Sequence, residues 1–297
     1  MKSCVFFGYS DIGYEALSTL LSMGQKIDAV FTHENAEHEH IWFRSVEDLA
    51  RTHNIPTYTN TPTLDDLKNF NPDIVLCAYY RTILPTGWLL TRPLGSYNMH
   101  GSLLPAYRGA QPTNWAVICG DKKSGITLHA IGNKLDSGDI INAKTVPIGT
   151  NDTAFDVMKN IIPMTKALLE ESWEALLAQT ANRTPQDEQC ATMHPRRTPA
   201  DGLIDPRAMA TSIHNLIRGV SHPYPGAFFT IAGKKVLVWK SELIDVDDSA
   251  ATGAFVLEGS YPTLKCHQGA VSILEATFED GSDALSSLNT GTVLDIV

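Results

Sequence analysis

The chain is short of cysteine, short of positive charge and without a long apolar run, and each shortage excludes a class of protein. Its five cysteines, Cys4, Cys77, Cys119, Cys190 and Cys266, are odd in number, widely spaced and free of any CxxC pair. That argues against a disulfide framework and against a cysteine-ligated zinc site, and it fits a reducing cytoplasm. Lys and Arg number 23 against 33 Asp and Glu, a formal charge of −10. A partner coated in phosphates is therefore disfavoured, because non-specific nucleic-acid affinity rests on clustered basic side chains. No stretch approaches the roughly 20 apolar residues of a spanning helix, and the run Cys4–Phe7 ends at Gly8, too short for the core of a secretion signal. A soluble cytoplasmic protein with no nucleic-acid or membrane partner is the expectation.

What is present is a globular composition, 43% hydrophobic and 19% charged, in 297 residues, enough for two domains. Short β-rich runs alternate with helical patterns: Cys4–Phe7 then Asp11–Met23, Ile27–Thr32 then Ser45–His53, Asp73–Ala78, Ser96–Met99 then Pro112–Cys119, and Gly125–Ala130. Such alternation predicts an α/β fold, a doubly wound and mostly parallel sheet with ligands at the carboxyl ends of its strands. Thr153–Gln179 has the helical period, with Pro163 placed to kink or delay it. Ala181–Asp205 is rich in Pro, Thr, Arg and Asp and reads as the connection. Arg207–Gly219 follows as a short helix. Phe228–Ile231, Lys235–Trp239, Ala254–Leu257, Val271–Glu275 and Thr292–Ile296 predict a small β-rich domain of the OB type. The resulting division is a larger domain over 1–190, a linker over 191–206 and a C-terminal domain over 207–297.

Two patterns resemble functional motifs and fall short. Gly8 to Gly13 has the glycine spacing of a phosphate loop without its lysine, so it reads as a tight turn with Asp11 as N-cap. His33 to His40 holds three His and three Glu but neither HExxH nor HxxEH, and reads as a solvated loop.

The informative block is Tyr97-Asn-Met-His-Gly-Ser-Leu-Leu-Pro-Ala-Tyr-Arg-Gly109, joined later by Gly132-Asn-Lys-Leu-Asp-Ser-Gly138. Asn98 and His100 alternate on an extended strand and so share a face. Asp136 lies in a glycine-bounded loop after another strand, at the same sheet edge. Taken singly, Asn98 satisfies backbone groups, His100 is a hydrogen-bonded buried histidine and Asp136 shapes a turn. Taken together, a polar Asn-x-His at the end of an apolar strand conflicts with packing preference, and such conflicts concentrate at functional sites. Transfer of an acyl group to an amine needs these groups: an amide donor for the developing oxyanion, an imidazole for the proton and a carboxylate to orient the imidazole. No metal is required.

These residues, with Phe31-Thr-His33, Tyr79-Tyr-Arg81, Gly125-Ile-Thr-Leu-His129, Arg196-Arg-Thr-Pro199 and Pro223-Tyr-Pro-Gly-Ala-Phe228, resemble the folate-dependent formyltransferase family. That family includes methionyl-tRNA formyltransferase and the sugar N-formyltransferases, and the likeness is greatest to the branch acting on UDP-4-amino-4-deoxy-L-arabinose. The resemblance implies a catalytic triad of Asn98, His100 and Asp136, with His100 accepting the proton, Asn98 stabilising the oxyanion and Asp136 supporting His100. It implies 10-formyltetrahydrofolate as co-substrate, held by Arg81, Thr82, Ile83 and Leu84 and by Gly132, Asn133, Lys134 and Leu135, largely through backbone atoms. Arg108 is set with these contacts or, on its own chemistry, holds its loop through carbonyls. Ala110 departs from the arabinose branch, where a basic residue follows this glycine. The partner implied is a nucleotide sugar, the assembly a homodimer and the role the supply of a formylated sugar for lipopolysaccharide or another surface glycan. Two alternatives stand beside it. A methionyl-tRNA formyltransferase is disfavoured by the acidic chain and by the lack of Lys or Arg in 33–40. A formyltetrahydrofolate hydrolase or an inactive folate-binding module is the other.

Overall fold

The computed structural model describes residues 1–35, 41–258, 260–288 and 294, apart from 245–250 and the side chain of residue 258. In chain order its elements are β1 (Ser3–Gly8), α1 (Ser10–Ser22), β2 (Lys26–Phe31), α2 (Val46–Thr52), β3 (Thr57–Tyr58), α3 (Leu64–Lys68), β4 (Ile74–Ala78), α4 (Thr86–Leu89), β5 (Ser96–His100), β6 (Arg108–Gly109), α5 (Pro112–Ile118), β7 (Lys123–Ala130), β8 (Ile140–Pro147), α6 (Ala154–Leu177), β9 (Met193–His194), α7 (Ala210–Val220), β10 (Ala227–Ile231), β11 (Lys234–Ile244), β12 (Phe255–Glu258), β13 (Tyr261–Lys265) and β14 (Ala270–Phe278). They form two compact units, one of residues 1–112, 124–146 and 158–195, the other of 113–123, 147–157 and 196–297.

The first unit is built on a seven-stranded sheet in the order β3-β2-β1-β4-β5-β7-β8. β1 pairs in parallel with β2 and β4, and β4 with β5, while β7 runs antiparallel to β5. The expected doubly wound, mostly parallel sheet is therefore present. β4 is buried throughout and β1 at all but its first residue, the signature of strands covered on both faces. α1 buries Ile12, Ala16, Leu17 and Leu20 on one stripe. α2 and α3 start where sequence chemistry stops the preceding chain: Ser45 accepts from the Asp48 amide, and Thr63 and Asp66 form a capping box. The strand order reverses between β1 and β4, which opens a crevice beyond their carboxyl ends.

The second unit carries a five-stranded antiparallel sheet in the order β10-β11-β14-β13-β12. α7 contributes Ile213, Ile217 and Val220 to a core shared with Phe229, Val238, Phe255 and Ile273.

Several expectations need adjusting. α6 runs unbroken through Pro163, because tertiary burial of Ile161, Leu168, Leu169 and Trp173 outweighs the missing N–H. Asp11 does not cap α1: the helix begins at Ser10 with Tyr9 as N-cap, and Asp11 instead accepts from Arg44 Nε at 2.6 Å. β8 and β13 lack a clear sequence signal. Of the expected strand Thr292–Ile296 only Leu294 is described, buried in the core of the second unit; the 36–40 part of the histidine-rich loop lies outside the described residues, but His33 is no solvated side chain. Its Nε2 accepts the Arg81 amide at 3.0 Å and its ring stacks on Tyr80 at 4.2 Å.

Candidate active site

On β5 and β7, Asn98 lies opposite His129 and His100 opposite Thr127. Strand alternation turns Asn98 and His100 to one face. Asp136 enters from the loop after β7 in a left-handed conformation, φ 51°, which Asp tolerates better than most residues but which still costs about 1 kcal/mol and needs support. Gly138 permits the loop to close, since a Cβ there would collide with the Ala130 carbonyl.

The side chains meet around the Asp136 carboxylate. Oδ2 accepts the Gly109 amide at 2.9 Å and stands 3.6 Å from His100 Nδ1; Oδ1 lies 3.5 Å from Asn98 Nδ2 and 3.6 Å from His129 Nε2. His100 and Asp136 are buried.

Carbonyl partners fix both imidazole tautomers. His100 Nε2 faces the Tyr107 carbonyl at 2.7 Å and must carry hydrogen, so in the neutral ring the lone pair is on Nδ1, beside Asp136. His129 Nδ1 donates to the Ala130 carbonyl at 2.9 Å, which leaves Nε2 to accept from Asn98 Nδ2 at 3.2 Å. Burial first, then the adjacent charges, set the His129 pKa, pushed down to about 4; it is neutral near pH 7, as an acceptor must be. The acceptor also fixes the Asn98 amide: only its NH2 can face His129. One of its two hydrogens is thereby committed, and the other reaches Asp136 only at 3.5 Å, long enough to be redirected.

Arg108 is buried and makes four hydrogen bonds through its guanidinium. Its guanidinium donates to Gln186 Oε1 from Nε at 3.1 Å and Nη2 at 2.8 Å, and to Glu188 from Nη1 at 3.1 Å and Nη2 at 2.8 Å. The structure thus directs it at side chains of 186–188, neither at loop carbonyls nor at open space. Gln186 in turn donates to the Asp136 and Gly138 carbonyls at 2.8 and 2.7 Å.

A second cluster gathers at the strand-order reversal. The Arg81 guanidinium lies 4.1 Å over the Tyr9 ring, Tyr9 packs edge-on to His33, and His33 stacks on Tyr80. Thr82 is half-buried, Leu84 is in the core, and Ile83 is 76% exposed. Asn133, Lys134 and Leu135 are exposed and Gly132 half-buried. Leu84 and Ile131, at the feet of these two loops, share one apolar cluster, which sets the loops side by side. His129 and Gln186 were not among the expected site residues. His129 stood in a motif whose purpose only strand register reveals, and Gln186 had no signal beyond a polar stretch.

Residues 20–172 match the formyl transferase family and residues 196–288 its C-terminal domain. The chain is 34% identical over 282 residues to the bifunctional polymyxin resistance protein ArnA of Wigglesworthia glossinidia brevipalpis, covering 93% of this chain and 43% of that protein; it spans less than half the length of this curated relative. In fold it is similar to the N-formyltransferase of Helicobacter canadensis, solved with folinic acid and dTDP-3-aminofucose, at a TM-score of 0.74 and 22% identity over 92% of this chain and 98% of that one. It is similar also to WlaRD, a sugar 3N-formyl transferase solved with dTDP and 5-N-formyl-THF, at a TM-score of 0.69 and 21% identity over 94% and 98%.

Proposed function

The chain belongs to the formyl transferase family, and from that premise we propose that it moves a formyl group from 10-formyltetrahydrofolate to the amine of a nucleotide-linked amino sugar, with UDP-4-amino-4-deoxy-L-arabinose as the acceptor. The observation that carries this reading is the convergence of Asn98, His100 and Asp136 on one point, with both imidazole tautomers fixed by carbonyl partners.

Each residue then has one task. His100 takes the amine proton at Nδ1, and the imidazolium so formed is satisfied at once, by the Tyr107 carbonyl on Nε2 and by Asp136 on Nδ1. The second Asn98 hydrogen turns to the formyl oxygen as negative charge develops there. A new C–N bond forms to the sugar amine, the bond to the folate nitrogen breaks, and the proton passes from His100 to the departing nitrogen.

The folate fits the two loops 81–84 and 132–135 on their own chemistry. Ile83 and Leu135 present apolar surface at 76% and 46% exposure, suited to a flat ring system, and the polar edges of such a ring find backbone groups. Arg108, engaged with Gln186 and Glu188, serves the site through them. We assign catalysis to 1–190, the connection to 191–206 and the β-rich domain to 207–297, and we place the reaction in the cytoplasm ahead of surface-glycan assembly. Among the described residues no helix is long and apolar enough to cross a membrane. The sugar acceptor is favoured over tRNA by the charge of −10 and by the dTDP-sugar and dTDP ligands of the two similar structures.

The test incubates the protein and 10-formyltetrahydrofolate with UDP-4-amino-4-deoxy-L-arabinose, dTDP-amino sugars or methionyl-tRNA, following tetrahydrofolate release and acceptor mass. The expected result is one added formyl group on the arabinose nucleotide, and a loss of at least about a hundredfold in His100→Ala. Formylation of tRNA alone, or formate released without acceptor, would overturn the reading.

A further inference from the structure

Nothing in the chemistry of formyl transfer requires residues 184–194, yet this segment is bound into the site at three levels. Its backbone pairs with β8 through Ile140 and Thr184, its strand β9 pairs in parallel with β6, and between them Gln186 and Glu188 hold Arg108. Gln186 is the point where these connections reach Asp136.

The hydrogen bonding of the Gln186 amide is complete and allows one orientation. Arg108 offers only donors, so Oε1 must face it; the Asp136 and Gly138 carbonyls are only acceptors, so the NH2 must face them. A flipped amide would set NH2 against guanidinium and oxygen against two carbonyls. The held carbonyls flank the part of the loop that needs holding: Asp136 itself at φ 51°, and Gly138 where no side chain fits. Released from Gln186, Asp136 keeps on its carboxylate one short hydrogen bond, from the Gly109 amide at 2.9 Å, beside the long Asn98 contact at 3.5 Å, and Gly109 belongs to the same loop as Arg108.

We propose that Gln186 is a positioning residue, clamped by Arg108, that holds the Asp136 backbone so that the carboxylate stands against His100 and Asn98. This rests on the catalytic reading above and deepens it. Displacing a catalytic group by about 1 Å can cost on the order of a hundredfold in rate, so the clamp acts on turnover rather than on affinity.

Two substitutions divide its functions. Gln186→Glu keeps the acceptor for Arg108 but turns an oxygen towards the two carbonyls; Gln186→Met removes both ends at similar volume. Steady-state transfer from 10-formyltetrahydrofolate to UDP-4-amino-4-deoxy-L-arabinose is measured at a temperature where circular dichroism shows every variant folded. The expected result is a fall in kcat of about tenfold to a hundredfold for both variants, with KM for either substrate within about threefold. If Gln186 acts through Asp136, the double variant Gln186→Met/Asp136→Asn is no slower than Asp136→Asn alone. Multiplied losses in the double variant, kcat within twofold of wild type in Gln186→Glu and Gln186→Met, or a loss confined to KM overturns the proposal. No transfer by the wild-type protein, or full activity of Asp136→Asn, is instead a failure of the catalytic reading, seen before the Gln186 variants are compared.

Discussion

Burial holds the His129 imidazole at about 4, well below its ordinary 6.5, and the consequence for stability has a definite sign. Between these values the unfolded chain binds a proton that the folded protein refuses, so folding stability is complete above about 6.5 and is lost as pH falls towards about 4. The contribution is on the order of 3 kcal/mol. Urea unfolding between pH 7.5 and 4.5 is expected to show it, with His129→Gln, which cannot titrate, giving a shallower decline; parallel curves for the two proteins would refute the assignment. At this scale Asn98 and His100 were legible because strand alternation alone puts them on one face. Asp136 was legible only through its glycine-bounded loop. His129 was visible as a letter in a motif, but its neutrality depends on the Ala130 carbonyl and on complete burial, which no local pattern encodes.

Among the elements, α6 carries the clearest conflict between local preference and tertiary structure. Pro163 sits within its 24 residues on an exposed position, removing one helical N–H without adding core contact. Pro163→Ala is therefore expected to stabilise the protein by about 1–2 kcal/mol, the helix gain being partly offset by a more flexible unfolded chain. Calorimetry is expected to show a melting temperature several degrees higher, and an unchanged or lower value would mean that the ring makes a contact of greater worth. The fully buried strands β1 and β4 announce themselves as apolar runs. β8 does not: seven of its eight residues are exposed or half-buried, so its sequence resembles a loop. The β6–β9 pair, two residues to a side, is too short for any periodicity. For the same reason the polar stretch 181–205 read as connection, although it holds the clamp on Arg108.

For the whole molecule, the distribution of thiols gives a separate reporter in each unit. Cys4 and Cys77 are buried in the first and Cys266 in the second, and burial pushes all three thiols up, Cys77 and Cys266 to about 12. Cys119 and Cys190 are exposed, with the Asp187 carboxylate holding the Cys190 thiol above its ordinary range. Iodoacetamide on the native protein is expected to label Cys119 first and Cys190 slowly, and to reach the other three only on denaturation. Peptide masses along a urea series then report which unit opens first; labelling of Cys266 in native buffer would contradict the core described for the second unit.

The clamp also sets an order in time. Gln186 follows Asp136 by 50 residues, and a ribosome adds about 5–20 residues per second. A nascent chain therefore displays Asn98, His100 and Asp136 for seconds before the residue that steadies them exists. Competence waits on a segment that contributes nothing to the reaction itself, so half-made chains are poor catalysts even where their sheet has already formed.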